Sequence, residues 1–177
     1  MVITYHGGAF IKVSFGDTTI AINPVSKESS LKGARFGADI ALVSLHHPDF
    51  NGIDQVSHGD KVPFVIDGPG EYETKKIFIK GVPSVSKYGG EEYLNTMYVV
   101  TLEGVRLCFL GALGTRKLTA DIKEEFGDID VLFVPIGGKD VLNAGDAHEL
   151  GVFFEPHIII PLLYQDEKTL KIFLILP

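Results

Sequence analysis

Apolar and polar positions alternate in short runs over the first two thirds of the chain. Val2 to Tyr5, Phe10 to Phe15, Thr18 to Ile22 and Ile40 to Leu45 are rich in β-branched and aromatic residues and are separated by Gly, Asp and Asn. Such runs predict strands. The link Phe15-Gly16-Asp17-Thr18 predicts a tight hairpin, and Leu102-Glu103-Gly104-Val105 predicts another between Tyr98 to Leu102 and Arg106 to Leu110. Phe64 to Ile66, Ile77 to Val82, Val131 to Pro135 and Ile158 to Pro161 complete the strand set. The last two are almost continuously apolar, the pattern of strands covered on both faces.

Helical periodicity enters late. Thr119 is placed to cap a helix through about Phe126, with Ile122 and Phe126 one turn apart on its inner face. Asp146 followed by Glu149 reads as a capping-box start, and Leu150, Phe153 and Phe154 form a stripe that Pro156 ends. Ser26 to Gly37, Ser84 to Glu92 and Gly137 to Gly145 read as surface loops, and Asp67-Gly68-Pro69-Gly70-Glu71-Tyr72-Glu73 as a turn. The tail, Leu170 to Leu176, is apolar enough to pack on the body or to pair with a second copy as a homo-oligomer.

Composition narrows the classes. A chain of 177 residues with 45% hydrophobic content has the material for a real core, so one domain over residues 1–177 is expected and disorder is not. Sixteen Lys and Arg against twenty-three Asp and Glu leave a formal charge of −7, which gives no basic footprint for nucleic acid or an anionic membrane. The single cysteine, Cys108, sits in an apolar run, so no intramolecular disulfide forms and a cytoplasmic home is expected. The opening MVITYHGGAF lacks the features of a signal peptide, and no apolar run reaches the roughly eighteen residues of a bilayer span.

The segment Ala38 to Phe50 carries the first chemistry, because a strand runs directly into a loop bearing His46, His47 and Asp49. Imidazole and carboxylate suit zinc, manganese or iron. Neighbouring residues on a strand point to opposite faces, so His46 and His47 do not naturally share one ion. On these residues alone, a metal site and a plain loop both stand.

The chain resembles the metallo-β-lactamase fold, in particular the zinc-dependent hydrolases similar to ascorbate-6-phosphate lactonase. The resemblance rests on blocks in the family's order along nearly the whole chain: ITYHGGAF, TTIAINP, ADIALVSLHHPDF, DGPGEYE, NTMYVVTLEGVRLCFLGALG, DVLFVPIGG and EPHIIIPLLY. It implies an α/β fold of the four-layer αββα sandwich type, shortened, with a dinuclear metal site at one sandwich edge and hydrolytic activity.

The same resemblance identifies what this chain lacks. The family's HxHxDH loop reads Leu45, His47, Asp49 and Phe50 at its four signature positions, so only His47 and Asp49 survive as remnants. A bridging aspartate falls at Ala112, a last histidine at Leu163, and a mid-chain histidine near Ser86. The aspartate of the family's IDP turn is Asn23, and Gly-His-Ser after the first strand is Gly7-Gly8-Ala9. A catalytic zinc takes three protein ligands and a water whose pKa it lowers from about 15.7 to about 7. Losing even a residue that backs a ligand costs roughly 10- to 100-fold in affinity or activity.

No metal is therefore expected, and the chain reads as a hydrolase-like binding or interaction module for a small molecule or a protein. The competing expectation is a metal-dependent hydrolase of an ester, lactone or phosphodiester. It uses zinc or manganese in a remodelled mononuclear site, with Asp49 catalytic, His47 a ligand, and His6 and Glu71 weaker additions. Gly137-Gly138-Lys139 lacks the frame of a phosphate-binding loop, and no serine sits in a GxSxG elbow.

Overall fold

A computed structural model describes residues 1–176. The chain divides into two compact units, Met1–Gly68 and Pro69–Pro177. The boundary falls inside the DGPGEYE block.

The first unit carries a five-stranded sheet of β1 (Val2–Tyr5), β2 (Ile11–Phe15), β3 (Thr18–Ile22), β4 (Ile40–Leu42) and β5 (Phe64–Ile66), ordered as in the sequence. β1 to β3 run antiparallel, whereas β3, β4 and β5 run parallel. The hairpin between β2 and β3 forms as expected, with Gly16 at φ 51°, the positive value that the first central position of a type II′ turn requires. Every residue of β4 is buried, which accounts for its apolar run. The strand expected over Ile40 to Leu45 nevertheless stops at Leu42. Its continuation bonds once more to β5 and then to a side chain: Val43 N–H donates to Ile66 O at 2.9 Å, and Ser44 N–H to Asn23 Oδ1 at 2.8 Å.

The second unit holds a six-stranded sheet ordered β11-β10-β9-β8-β7-β6, built from β6 (Gly70–Thr74), β7 (Ile77–Ser86), β8 (Tyr93–Leu102), β9 (Val105–Phe109), β10 (Val131–Pro135) and β11 (Ile158–Leu162). β6 through β9 are antiparallel, and β9, β10 and β11 are parallel. The turn expected over Asp67 to Glu73 is thus half strand. Gly70 to Thr74 pair with Ile77 to Gly81, and the Gly-Pro signal that hid this marks only the strand's entrance. β7 and β8 likewise reach further than their apolar runs, absorbing part of the loop expected from Ser84.

Three helices belong to this unit: α1 (Ala120–Phe126), α2 (Ala144–Phe154) and α3 (Glu167–Leu174). α2 starts ahead of the expected Asp146 because Asn143 is its cap, with Asn143 Oδ1 accepting from Asp146 N–H at 2.9 Å. The tail forms α3, capped by Asp166, whose carboxylate accepts from Thr169 N–H at 2.7 Å. Phe173 is buried and Leu170 and Leu176 pack on the core, while Ile172, Leu174 and Ile175 stay exposed. Phe126 stacks on Phe154 at 5.6 Å, joining α1 to α2, and burial raises the Cys108 thiol pKa.

In each sheet the parallel strands are neighbours, with β4 and β10 wholly buried, whereas β11, expected to be covered on both faces, is an edge strand with Ile158 exposed. The C-terminal ends of parallel strands are where α/β folds hold ligands. Asn23, Leu45, Phe50, Ala112 and Leu163 all follow strands of these parallel sets.

Candidate functional site

In the first unit, the loop after β4 turns its apolar residues inward. Leu45 and Phe50 are both wholly buried. His47 and Asp49 lie between them, part-buried, and close a short loop of their own. Asp49 N–H donates to His47 Nδ1 at 3.2 Å, and the carboxylate lies 3.7 Å from the same nitrogen. An amide donating to Nδ1 puts the proton of the neutral ring on Nε2. The Ser29 hydroxyl donates a short hydrogen bond to Asp49 Oδ1, tying the loop to the segment after β3. His46 points the other way, exposed, 3.8 Å from the Asp67 carboxylate.

Asn23 takes up the role of an anchor. It is buried at φ 51° directly after β3, its amide donates to Leu42 O at 2.8 Å, and its Oδ1 accepts Ser44 N–H. Asn tolerates this left-handed backbone better than most residues. Gly52 closes the loop from below: a Cβ there would stand 2.3 Å from the carbonyl carbon and oxygen of Val25, so only glycine fits.

His6 follows β1 and is packed between rings, 5.0 Å from Phe10 and 5.7 Å from Phe36. Its Nε2 is buried without a hydrogen-bond partner. Burial, and then the Lys12 ammonium, lower its pKa below the ordinary 6.5.

In the second unit, the turn after β9 carries Ala112, wholly buried, and is held by a residue the sequence reading did not single out. Asn95, on β8 and fully buried, accepts Ala112 N–H at 2.8 Å and donates to Leu110 O at 3.1 Å and Ser84 Oγ at 2.8 Å. Both ends of its amide are used. Ser86 is buried and accepts Tyr88 N–H at 3.2 Å.

Leu163 follows β11 at φ 56°, an uncommon backbone for a branched residue, and its carbonyl would lie 2.3 Å from any Cβ added at Gly137. Glu71 is exposed on β6, 3.8 Å from Lys80 Nζ. Among the described residues, no group of three or more His, Cys, Asp and Glu side chains is placed to hold a metal ion.

Known proteins share this chain's plan. A family model for the beta-lactamase superfamily domain matches residues 2–163. The UPF0173 metal-dependent hydrolase of Lysinibacillus sphaericus is 26% identical over 195 residues, covering 93% of this chain and 86% of that protein, and one from Listeria innocua is 27% identical over 198 residues with the same coverage. A solved structure of a metallo-beta-lactamase superfamily protein from Thermotoga maritima matches with a TM-score of 0.78 and 30% identity, covering 97% of this chain and 84% of that one. A second, from Parabacteroides distasonis, reaches a TM-score of 0.74 at 20% identity and speaks to the fold alone. The α/β sandwich class expected from the sequence is thereby shown, and no helix is long and apolar enough to cross a membrane among the described residues. With its family match running from the first strand to the end of the last, this chain belongs to the beta-lactamase superfamily, among whose members are proteins named metal-dependent hydrolases.

Proposed function

We propose that this protein is a non-catalytic binding or interaction module on a hydrolase scaffold, without the metal centre for which its relatives are named. The observation that carries the reading is the burial of four apolar side chains, Leu45, Phe50, Ala112 and Leu163, at positions that the family resemblance aligns with donors. None offers a lone pair. The residues present do not fit a catalytic zinc. His47 already accepts an amide at Nδ1, Asp49 accepts the Ser29 hydroxyl, and a third ligand is wanting where a catalytic site needs three. Apolar groups packed in place of charged ones are often neutral or stabilising, so within each unit such positions are stable as core. Elemental analysis of protein purified without chelator is expected to find well under one equivalent of zinc, manganese or iron per chain. About one equivalent, retained through dialysis, overturns the reading.

One observation favours a second reading, a metal-dependent hydrolase with a remodelled mononuclear site: His6 Nε2 is a buried nitrogen with no partner, the state of a ligand awaiting an ion. In that case Asp49→Ala abolishes a metal-stimulated hydrolysis of ester, lactone or phosphodiester substrates. Wild-type protein that hydrolyses none of them with zinc or manganese supplied removes this reading.

A further inference from the structure

Within the second unit, a cleft of about 480 Å³ opens where β7, β9 and β10 end. Its walls are the end of β7 with Val85 and Lys87 just beyond it, the turn after β9 with Gly114 and Thr115, and the loop after β10 from Gly138 to Val141; Asn143 and Asp146 close it at the start of α2. These walls are tied together. Leu142 N–H donates to Leu113 O at 3.0 Å, Gly138 N–H donates to Leu142 O at 3.0 Å, and the close approach of Gly137 to Leu163 O fixes the root of the loop.

The charges facing the cleft are unevenly matched. Asp146 is taken by Arg116, whose Nε lies 3.0 Å away, and by Asn143 Nδ2 at 2.8 Å. Lys87, Lys139 and Asp140 have no ion pair among the described residues. Thr115 Oγ1 accepts Lys117 N–H at 3.2 Å, which leaves its O–H to donate. Val85, 54% exposed, offers an apolar flank.

The lining therefore presents two unmatched ammonium groups, one hydroxyl donor, one unmatched carboxylate and a small apolar surface. A phosphate dianion meets Asp140 and the field of a chain of charge −7, and a simple cation meets the two lysines. A molecule with both signs satisfies the set. We propose that this cleft binds a small zwitterion of the aliphatic α-amino-acid kind, its carboxylate towards Lys87 and Lys139, its ammonium towards Asp140 and its side chain on Val85. The proposal rests on reading the protein as a binding module, and it gives that module a ligand class.

The test is a titration of the isotope-labelled full chain, followed by amide NMR, with L-valine, isobutyrate, isobutylamine and inorganic phosphate. L-valine is expected to move the Gly114, Thr115 and Gly138 to Val141 amides saturably. The three other probes are expected to be at least about fivefold weaker, because each lacks a matched charge worth up to about 1 kcal/mol at an exposed site. Lys139→Met and Asp140→Asn, whose side chains are not in the core, are each expected to weaken valine about fivefold. Absence of saturable shifts with valine, tighter binding of phosphate, or variants that bind valine like the wild type would each overturn the proposal. Full metal occupancy with valine binding intact would remove the non-catalytic reading and leave the cleft; metal-free protein indifferent to valine would do the reverse.

Discussion

The loop after β4 in the first unit and the turn after β9 in the second are held by different sets of polar contacts. Around β4, the polar side chains remain but are spent locally: His47 and Asp49 bond within two residues of each other, and Ser29 takes the remaining carboxylate oxygen. Around β9, the side-chain bonds to the turn all come from one amide reaching from β8, since Asn95 bonds residues 11, 15 and 17 positions away, and main-chain bonds from Leu110 to Phe133 and from Leu142 to Leu113 add to them. Each unit also has a glycine pressed on backbone, Gly52 against Val25 beside the loop after β4 and Gly137 against Leu163 where β10 and β11 end. Hydrogen bonds and close packing hold the geometry of both. The first region draws its side-chain bonds from several residues, Asn23, Ser29 and His47, and the second draws them all from Asn95.

That contrast is broken most forcefully at Asn95. Asn95→Ala orphans the buried Ala112 amide and Leu110 carbonyl and removes one bond of part-buried Ser84, and buried groups left unpaired cost about 1–3 kcal/mol each. A loss of about 3 kcal/mol is expected in urea unfolding. A loss below about 1 kcal/mol would mean that the turn after β9 does not depend on its clamp.

The two glycines sharpen the comparison at lower cost. At Gly52 an added Cβ meets Val25 C and O at 2.3 Å and Ser26 N at 2.4 Å; at Gly137 it meets one backbone atom at 2.3 Å, and the next lies at 3.4 Å. Overpacking costs about 1–3 kcal/mol, so Gly52→Ala belongs near the top of that range and Gly137→Ala near the bottom. Thermal denaturation of the two variants in one buffer decides the order, and the reverse ranking would sink the packing account.

What the sequence discloses follows the range of the interactions. The extents of β3 and β10 were legible because burial writes apolar runs, those of β1 and β5 because β-branched and aromatic residues mark strands even where they stay largely exposed, and the two hairpins because Gly16 and Glu103-Gly104 meet a local backbone demand. β6 was hidden because both its faces are partly exposed, which removes the apolar signal; α3 was missed although Leu170 and Phe173 stand one turn apart and both pack on the core, because the tail reads as an apolar run and not by its period. The candidate site divides in the same way. Leu45, Phe50, Ala112 and Leu163 were found through a resemblance and not through any local pattern. Asn95 escaped because its partners lie in other strands and turns, and a lone Asn in NTMYVV carries no mark of them.

The smallest expected effect separates the units by pH. His6 belongs to the first unit, and its depressed pKa, caused first by burial and then by Lys12, means that the unfolded chain takes up a proton before the folded one does. Between the ordinary 6.5 and the lower folded value, the unfolded state therefore binds more protons, and stability falls as pH falls. His6→Phe keeps a ring against Phe10 and Phe36 and removes the titration. Urea midpoints measured between about pH 5 and 8 are expected to fall more steeply towards acid in the wild type than in the variant; because the other five histidines are common to both, the difference isolates His6. Parallel profiles would show that its ring is solvated in the folded protein, and the local sealing of the first unit would then stop short of the loop after β1.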